Sequence, residues 1–590
     1  LPRPRRRRTL QRHPRLRSVT RALKLNIGVT GHRDLVPSEI PGIRDEVRGF
    51  FAELAREYSD LTLELISGLA EGADSVVAEV ALDMGMPVVA VLPMEQSEYE
   101  QDFKDADSLS NFRDLLSRCQ VVTLSPDTAV ENTEELSPRE IRSLLYAQLG
   151  VFLSNHCQIL LTLWDGKQTE EVGGTHSVTH YHLTGVMPGF ESLVESPSLL
   201  ADNENDLAYH IVCSRQGEHG QPDDRYSPLE SFWVTAHFGR LQDRRMPEDY
   251  QQMFERLALF SADCRSYAVP LMEQSTSLVE VPPGVQIPDE CRVIDELYQS
   301  ADWLAVRYQR LFSRSLLLSH LLAVCMGFIF IIYSELLEYS GLAWLFLGLF
   351  ATGIGFHYLS ERRGWHRKYL DYRALAEGLR VQVYWSLAGV VDGHAAEFAY
   401  DNFLQKQDVD LSWIRHVMRS ASLQSFRNTR PDPRWVDWVS EHWVGFSDNT
   451  DGQLGYYESK ARQRSAAYRR NDSLGKGVLW IGVSMAAFLG FFATSMSEDQ
   501  TFVLVILMGV LPLIAGVSDT YSHKKADKEL IKQYQFMARI FANARRLLNG
   551  TDDVEFKRRI LRAVGKAALE EHAEWLLMQR ERPLEHGGIQ

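Results

Sequence analysis

The sequence predicts a parallel α/β domain followed by an all-α membrane region, with four transmembrane helices in two repeated hairpins and long cytoplasmic helices. Two observations support this prediction. Short apolar strands alternate with amphipathic helices between residues 25 and 163, a pattern typical of a parallel sheet covered on both faces. Four windows without Asp, Glu, Lys or Arg lie between residues 315 and 518, and each is about as long as a membrane span.

Composition limits the class of protein. The 590 residues suggest about four domains, and 45% hydrophobic with 24% charged residues argues against global disorder. The mean hydropathy of −0.22 is typical of a soluble protein. This average conceals the four apolar windows, because the polar majority of the chain outweighs them. A net charge of −15 argues against a protein that coats nucleic acid, so we expect no nucleic-acid partner.

The charge is unevenly distributed. Residues 1–24 hold ten Lys and Arg and no acid, which predicts a basic disordered arm, either solvated or touching anionic lipid headgroups. No apolar run follows the arm, so we do not expect a secretory signal. The six cysteines form no CxxC pair, which excludes a zinc ribbon and predicts reduced thiols in a largely cytoplasmic protein.

The α/β elements follow one another in regular order. Ile43, Val47 and Leu54 lie at i, i+4 and i+11 of the first predicted helix, and further helices are expected near 76–84 and 141–155. The predicted strands cover residues 25–30, 61–66, 87–92, 121–124 and 158–163. Ligands of parallel sheets bind at the carboxyl ends of the strands, where three loops contain glycine and charged residues.

The three loops predict a ligand site. The first is Gly31-His32-Arg33, the second runs from Ser67 to Asp74, and the third combines Asp165-Gly166 with Gly173-Gly174-Thr175. Each alone is a weak signal that is also explained by a tight turn between strand and helix. Together, at matching places in the topology, they predict backbone amides and a cation around an anionic, nucleotide-type ligand.

The membrane spans are predicted at residues 315–334, 339–360, 477–497 and 500–518. A helix needs about 20 apolar residues to cross a 30 Å hydrocarbon core, and paired windows with charged ends argue against the alternative of buried core helices. Lys and Arg flank both hairpins, whereas the tips hold only acids. The positive-inside rule therefore predicts a multi-pass protein of the plasma (inner) membrane with both termini in the cytoplasm.

The two hairpins resemble copies of one unit. A shift of 160 places Tyr308 on Tyr468, and a shift of 162 places Tyr372 on Tyr534. No carboxylate or cation lies inside a span, which weakens a transporter hypothesis. Small and polar residues of the spans are compatible with either helix packing or a pore lining. These residues are Ser319, Gly353, Gly355, Ser484, Thr494, Ser495, Ser497, Gly509 and Gly516.

The loop motifs carry a resemblance to a known family. Thr30–Arg33, Ser67–Asp74 and Trp164–Gly166 with Gly173–Thr175 resemble the SLOG superfamily of Rossmann-like domains, which includes DprA proteins, LOG phosphoribohydrolases and the N-terminal region of TRPM channels. The hairpin units, with the segment Tyr372–Glu377, are similar to SLATT-type two-span effectors of nucleotide-signal systems in bacterial defence.

The resemblance implies a sensor for a nucleotide-derived ligand and a membrane part that responds to it. The implied ligand-binding residues are Gly31, His32, Arg33, Ser67, Gly68, Glu71, Gly72, Ala73, Asp74, Asp165, Gly173, Gly174 and Thr175. Asp74 is alternatively a helix-capping residue. In LOG enzymes a catalytic glutamate follows the Gly-Thr motif, whereas His176, Ser177 and Val178 follow Thr175 here. We therefore expect sensing rather than N-glycoside hydrolysis and assign no catalytic residue, with Glu71 as the remaining candidate acid.

The rest of the chain completes the expected domain map. Residues 25–285 form the Rossmann-like domain with a surface insertion near 191–226, and 286–390 and 456–550 form the hairpin units. Residues 391–455 are expected to be a helical connector, and 551–590 a C-terminal cytoplasmic helix and tail. His176, His180 and His182 suggest a metal site, but no partner carboxylate or cysteine is near in sequence, so we expect polar loop histidines and no metal.

Together with these observations, the resemblance implies an effector in the lipid bilayer that binds a nucleotide-type ligand and gates an oligomeric ion-permeable pore in bacterial signalling or antiphage defence. Four spans are too few to enclose a wide pore, so a homo-oligomer is expected. No cofactor is firmly implied. The alternatives are a membrane-anchored nucleotide hydrolase and an effector that disrupts membranes without selectivity.

Overall fold

The computed structural model describes most of the chain in two compact units. The described residues are 23–103, 105–124, 136–190, 207–217, 220–236, 241–279, 287–335, 340–390, 411–424, 432–445, 452–492, 495–524 and 527–580. The first unit contains Leu1–Ser300 and Leu375–Asp432, and the second contains Ala301–Ala374 and Pro433–Gln590. Nearly all of the basic arm, the span residue Thr494 and the C-terminal tail after residue 580 lie outside the described residues.

The first unit is built on a mixed, largely parallel sheet of eight described strands in the order β4-β3-β2-β1-β5-β6-β7-β8. The strands are β1 (Lys24–Gly31), β2 (Thr62–Ser67), β3 (Val88–Leu92), β4 (Gln120–Thr123), β5 (Ile159–Trp164), β6 (Ala208–Val212), β7 (Ser231–Thr235) and β8 (Leu241–Asp243). Strands β1 to β6 pair in parallel, and β7 and β8 add antiparallel pairs at one edge. The prediction of a parallel α/β domain is confirmed.

Helices follow the strands as the apolar pattern predicts. In this unit they are α1 (Ile40–Glu57), α2 (Ala73–Asp83), α3 (Gln96–Tyr99), α4 (Ala106–Ser117), α5 (Pro138–His156), α6 (Thr175–Thr184), α7 (Glu248–Ser266) and α8 (Ala268–Gln274). Helix α1 buries Ile43, Val47 and Leu54, the residues whose spacing predicts it. Helix α5 begins at a capping box formed by Ser137 and Glu140, which satisfies two amides of its first turn.

Two parts of the first unit differ from the predicted domain map. The segment near 191–226, expected to be a surface insertion, contains the buried strand β6 between β5 and β7. The expected connector contains α12 (Ser412–Gln424), which packs on α5, α7 and β1 and buries Leu423 among core residues of the sheet. The α/β core therefore includes a helix that follows the first hairpin in the chain.

The second unit is mostly helical. One of its helices begins in the first unit, and another ends there. The helices are α9 (Asp289–Glu335), α10 (Ser340–Arg362), α11 (Trp365–Ala388), α13 (Arg434–Val439), α14 (Gly452–Phe492), α15 (Glu498–Lys524), α16 (Asp527–Asn549) and α17 (Val554–Arg580). Residues 289–300 of α9 and 375–388 of α11 belong to the first unit. Helix α14 packs against α15 and α16, and α16 packs against α17.

Four helices of the described residues are long and apolar enough to cross a membrane. They are Cys291–Ser334, Ser340–Ala388, Gly452–Phe492 and Gln500–Thr520, and at most 11% of the residues in each apolar window are buried inside the structure. Because such a surface is unfavourable in water, the finding is consistent with a membrane protein. All six cysteines are free thiols, in agreement with the sequence-based prediction.

Small residues bring spans of different hairpins together. A Cβ atom on Gly327 of α9 would lie 2.4 Å from Leu513 Cδ2 of α15, and one on Gly509 would lie 3.0 Å from Ile331 Cδ1. Gly355 and Gly516 have no heavy atom within 4 Å of such a position. Of the predicted packing glycines, Gly509 therefore faces another helix closely, and α9 contacts α15 through two complementary glycine–aliphatic pairs.

Candidate functional site

The three predicted loops lie side by side at one edge of the sheet. The chain runs outward from β1 through β2 and β3 to β4, and then returns to β5 on the other side of β1. Strand β1 pairs in parallel with both β2 and β5, so the ends of these three strands share one edge. The reversal of strand order between β1 and β5 is a topological switch point, where parallel sheets characteristically open a ligand crevice.

A cavity of about 660 Å³ occupies this edge. That volume is in the range of small-molecule sites. Of the thirteen predicted ligand-binding residues, seven line it: Gly31, His32, Arg33, Asp74, Gly173, Gly174 and Thr175. The other six, Ser67, Gly68, Glu71, Gly72, Ala73 and Asp165, are not part of its lining. Several of these six hold the lining residues in place.

His32 connects the first loop to the third. Its backbone amide donates to Leu163 O at 3.1 Å, and its Nε2 lies 3.1 Å from the Asp165 amide nitrogen and 3.2 Å from Asp165 Oδ1. The ring proton decides whether Nε2 accepts from the amide or donates to the carboxylate. Burial opposes ionisation of Asp165, but hydrogen bonds from His32 and from the Lys167 amide prevail and lower the pKa of Asp165 below its usual value.

The second loop requires glycine at position 72. Gly72 has φ +86°, and a Cβ atom there would lie 2.4 Å from the carbonyl oxygen of Arg33. The next amide, of Ala73, donates to His32 O at 3.0 Å. The backbones of the first and second loops are therefore in direct contact, and any side chain at position 72 would force them apart.

Asp74 is the carboxylate that the second loop presents to the cavity. The residue is only 7% exposed. Asp74 is the second residue of α2, and the N-cap residue of this helix is Gly72. Asp74 therefore does not occupy the capping position that the sequence offered as an alternative. Burial raises the pKa of Asp74 to about 7, against the opposing effects of the Ala70 and Gly68 amides, the Arg33 charge and the Ser67 hydroxyl. The group therefore titrates near neutral pH.

Glu71 points elsewhere. Its carboxylate accepts a hydrogen bond from Ser108 Oγ at 2.9 Å and lies outside the cavity lining. The acid that sequence reasoning retained as a catalytic candidate is therefore not at the site, and Asp74 is.

Arg33 offers a cation to the cavity. Its guanidinium lies 4.8 Å from the centre of the Tyr146 ring, and it forms no ion pair within the described part of the chain. The residue is exposed to solvent and lines the cavity, although neighbouring protein atoms partly desolvate its guanidinium. Such a cation is partly desolvated and still available to an anionic ligand, which favours strong charge-assisted hydrogen bonds.

Helix α5 supplies a wall of the cavity that sequence reasoning missed. Arg139, Arg142, Ser143 and Tyr146 all line it, at i, i+3, i+4 and i+7 of one helix face. The Tyr146 hydroxyl donates to Asp102, and Arg142 Nε lies 2.8 Å from the same carboxylate. The polar stripe on an otherwise apolar helix is a signal that could have identified these residues.

The third loop opens helix α6 towards the cavity. Gly173 has φ +78°, and a Cβ atom there would lie 2.7 Å from the Ala147 amide nitrogen. Gly174 is the N-cap residue without a side-chain cap, and the amides of Thr175, His176 and Ser177 make no hydrogen bond to other described residues. Free amides and the positive end of the helix dipole favour an anion at this position.

Two of the three histidines of α6 lie against separate backbone carbonyls. His182 is buried, with Nε2 3.0 Å from Leu207 O, whereas His176 Nδ1 lies 2.8 Å from Thr169 O. No group of three metal-binding side chains occurs in the described ranges. The cavity lining thus combines arginine side chains, the uncapped start of α6 and the ring of Tyr146.

No protein-family model matches this chain, and no curated protein is significantly similar to it in sequence.

Proposed function

We propose that the chain is a membrane effector whose α/β unit binds a nucleotide-derived ligand and thereby gates an oligomeric, ion-permeable pore. The observation on which the proposal rests is the cavity at the β1–β5 switch point. Its lining includes both Arg33, which forms no ion pair in the described chain, and the uncapped start of α6. Cations and amides suit the phosphate groups of such a ligand, and Tyr146 offers a ring.

The membrane half of the proposal rests on the four apolar helices. We infer that both hairpins return to the cytoplasmic side of the plasma (inner) membrane, because Lys and Arg flank them. Helices α9 and α11 each contribute residues to both units, so a ligand-dependent change in the first unit has a continuous backbone route to the spans. A homo-oligomer supplies the additional spans that a pore needs.

Duplication of the hairpin unit is part of the proposal, and a lysine–tyrosine contact that occurs in both units supports it. Lys368 Nζ lies 5.1 Å from the centre of the Tyr308 ring, and Lys528 Nζ lies 5.5 Å from that of Tyr468. In both pairs the lysine follows the tyrosine by 60 positions, and a shift of 160 places one pair on the other. The loop motifs and this repeat are the basis for assigning SLOG-like and SLATT-like parts in a bacterial signalling or defence system.

The first experiment identifies the ligand and tests its site. Mass spectrometry of the purified full chain should reveal a copurifying nucleotide, whose affinity is then measured by calorimetry. Arg33→Ala should weaken binding by about 10-fold to 100-fold, the value of a hydrogen bond to a charged group. Arg118→Ala, a surface arginine of the same unit paired with Asp114 at 3.8 Å, is the matched control and should bind normally. Equal binding by both variants would rule out this site.

A second experiment tests gating. Full-length protein in planar bilayers should conduct ions when the nucleotide is added and should stay silent when it carries Arg33→Ala. Ligand-independent leakage of a large dye from liposomes, without ion selectivity, would instead favour an effector that disrupts the membrane.

One observation favours a second candidate function, nucleotide hydrolysis. A buried carboxyl in a ligand cavity with a pKa of about 7 is suited to general acid–base catalysis at neutral pH. If the chain releases a free base from a nucleoside monophosphate and Asp74→Asn abolishes the release while Glu71→Gln does not, the enzyme hypothesis replaces the sensor hypothesis.

A further inference from the structure

Five arginines at the membrane-flanking end of the first hairpin form a second site, independent of the ligand cavity. We define the arginine cluster as Arg310 and Arg314 of α9, Arg362 and Arg363 at the end of α10, and Arg367 of α11. All five side chains are exposed. Within the described residues, none of them forms an ion pair or a side-chain hydrogen bond.

Contacts between the helices bring these arginines to one level. Ser315 Oγ donates to Ser360 Oγ at 3.3 Å, which places the residue after Arg314 beside the end of α10. Phe312 and His366 stack with ring centres 4.2 Å apart, and Gln309 donates to the Tyr369 hydroxyl at 3.2 Å. The cluster therefore surrounds the point where α9, α10 and α11 meet, and its members come from three helices.

This level coincides with the end of the apolar spans. The charge-free windows end at Ser315 on α9 and at Ser360 on α10, one or two residues from the nearest arginines. Trp365 follows at once, with its ring 6.3 Å from Phe356 of the span, and tryptophan at this depth is typical of the interface between hydrocarbon and headgroups. Glu361, the acid beside Arg362 in the sequence, lies 3.8 Å from His357 Nε2, and its single negative charge leaves the five arginines with a positive excess.

On α14, the first helix of the second hairpin, the described cations lie differently. Lys476, the last cation before its first span, pairs with Asp472 at 2.8 Å. The exposed arginines Arg469 and Arg470 lie on α14 seven or more residues before the window that begins at residue 477, about 10 Å along the helix axis. The exposed arginines of α14 therefore lie farther from the span boundary than Arg314 does on α9.

We propose that the arginine cluster binds the phosphate headgroup of an anionic phospholipid in the leaflet at this end of the hairpin. Guanidinium groups bind phosphate oxygens in a bidentate manner, and four to eight cations beside a span are a recognised pattern for anionic lipid. Headgroup phosphates are the anions that lie at this depth of a bilayer, so the spans and the cluster fit the two parts of one lipid molecule.

The test uses the full-length protein in detergent with equimolar phosphatidylglycerol and phosphatidylcholine, and retained lipid is counted by native mass spectrometry. The wild-type protein should retain phosphatidylglycerol preferentially. Arg362→Gln/Arg363→Gln should reduce this preference about 25-fold, since each cation near the surface contributes about fivefold. Arg469→Gln/Arg470→Gln removes the same charge from α14 and should retain the preference.

Three outcomes would overturn the proposal. They are an absence of preference in the wild type, an equal loss in both double variants, and displacement of the lipid by millimolar inorganic phosphate, which would indicate a site for the free anion. If the Arg362→Gln/Arg363→Gln protein does not fold, Arg314→Gln on α9 replaces it, with an expected loss of about fivefold. A normal preference in this variant would also contradict the proposal.

Discussion

Asp74→Asn provides a quantitative test of the electrostatics of the cavity. The pKa of Asp74 is about 7 in the folded protein and 3.8 by its ordinary value, which we take for the unfolded chain. The folded state therefore binds the proton more tightly, and ionisation of Asp74 costs folding stability as the pH rises from about 4 to about 7. At 1.36 kcal/mol for each pKa unit, the cost is about 4 kcal/mol above pH 7 and about 2 kcal/mol at pH 5.

Asparagine removes this cost and keeps an oxygen that accepts hydrogen bonds from the Gly68 and Ala70 amides. We therefore expect Asp74→Asn to stabilise the α/β unit at pH 8 by up to about 4 kcal/mol. The assay is thermal unfolding of the full chain in detergent, followed in the ligand-free protein by tryptophan fluorescence between pH 5 and pH 8. At about 2–4 °C for each kcal/mol, the expected rise in Tm at pH 8 is about 10 °C, and less than half of it should remain at pH 5.

Glu71→Gln is the matched control, because it removes a carboxylate of the same loop that lies outside the cavity. Its unfolding profile should keep the pH-dependent phase that Asp74→Asn abolishes. A stability difference between Asp74→Asn and wild type that does not change with pH would refute the reasoning, and so would a variant that is less stable than wild type at pH 8.

Three further predictions concern backbone and packing. Gly72→Ala should destabilise the α/β unit by about 1–3 kcal/mol and abolish ligand binding, because its Cβ would meet Arg33 O at 2.4 Å. Thermal unfolding measures the loss of stability and calorimetry measures ligand binding. Normal binding by this variant would contradict the contact. Gly327→Leu should lower stability in detergent by about 1–3 kcal/mol, and addition of Leu513→Ala should restore part of it if α9 and α15 pack as described. Lys368→Gln should cost about 0.5–1 kcal/mol through loss of the cation–π contact with Tyr308, whereas the same change in a Tyr308→Leu background should cost less.

The parts of the fold that depend on local apolar patterns could be predicted from the sequence. Strand β1, helix α1 and the four apolar helices each have a continuous signal of the right period and length, and all are present in the structure. Strand β6 has no such signal, since five residues within a polar stretch do not reveal that they pair with β5 and β7. Its burial depends on partners far away in the sequence.

The loops of the candidate site could be predicted from the sequence, whereas the residues that α5 contributes to the cavity could not. Glycines and charges after three strands identify an edge of a parallel sheet, and the cavity lies there. Which carboxylate of the second loop faces the cavity depends on where α2 begins, and the start at Ala73 selects Asp74 instead of Glu71. Tyr146 and Arg142 lie on a helix between β4 and β5 in the chain, so only the tertiary structure brings Tyr146 to Arg33 and Arg142 into the cavity lining.

The position of α12 has a consequence for how this protein can be divided. The ring of Trp413, 1% exposed, lies 5.6 Å from that of Phe260, and Leu423 is buried beside Leu149 and Phe152. The α/β unit is thus discontinuous in sequence, interrupted by the whole first hairpin. A fragment that stops before residue 287 would expose the surface that α12 covers, so the α/β unit is not a detachable module. Recombination between proteins could exchange it only together with the hairpin that interrupts it.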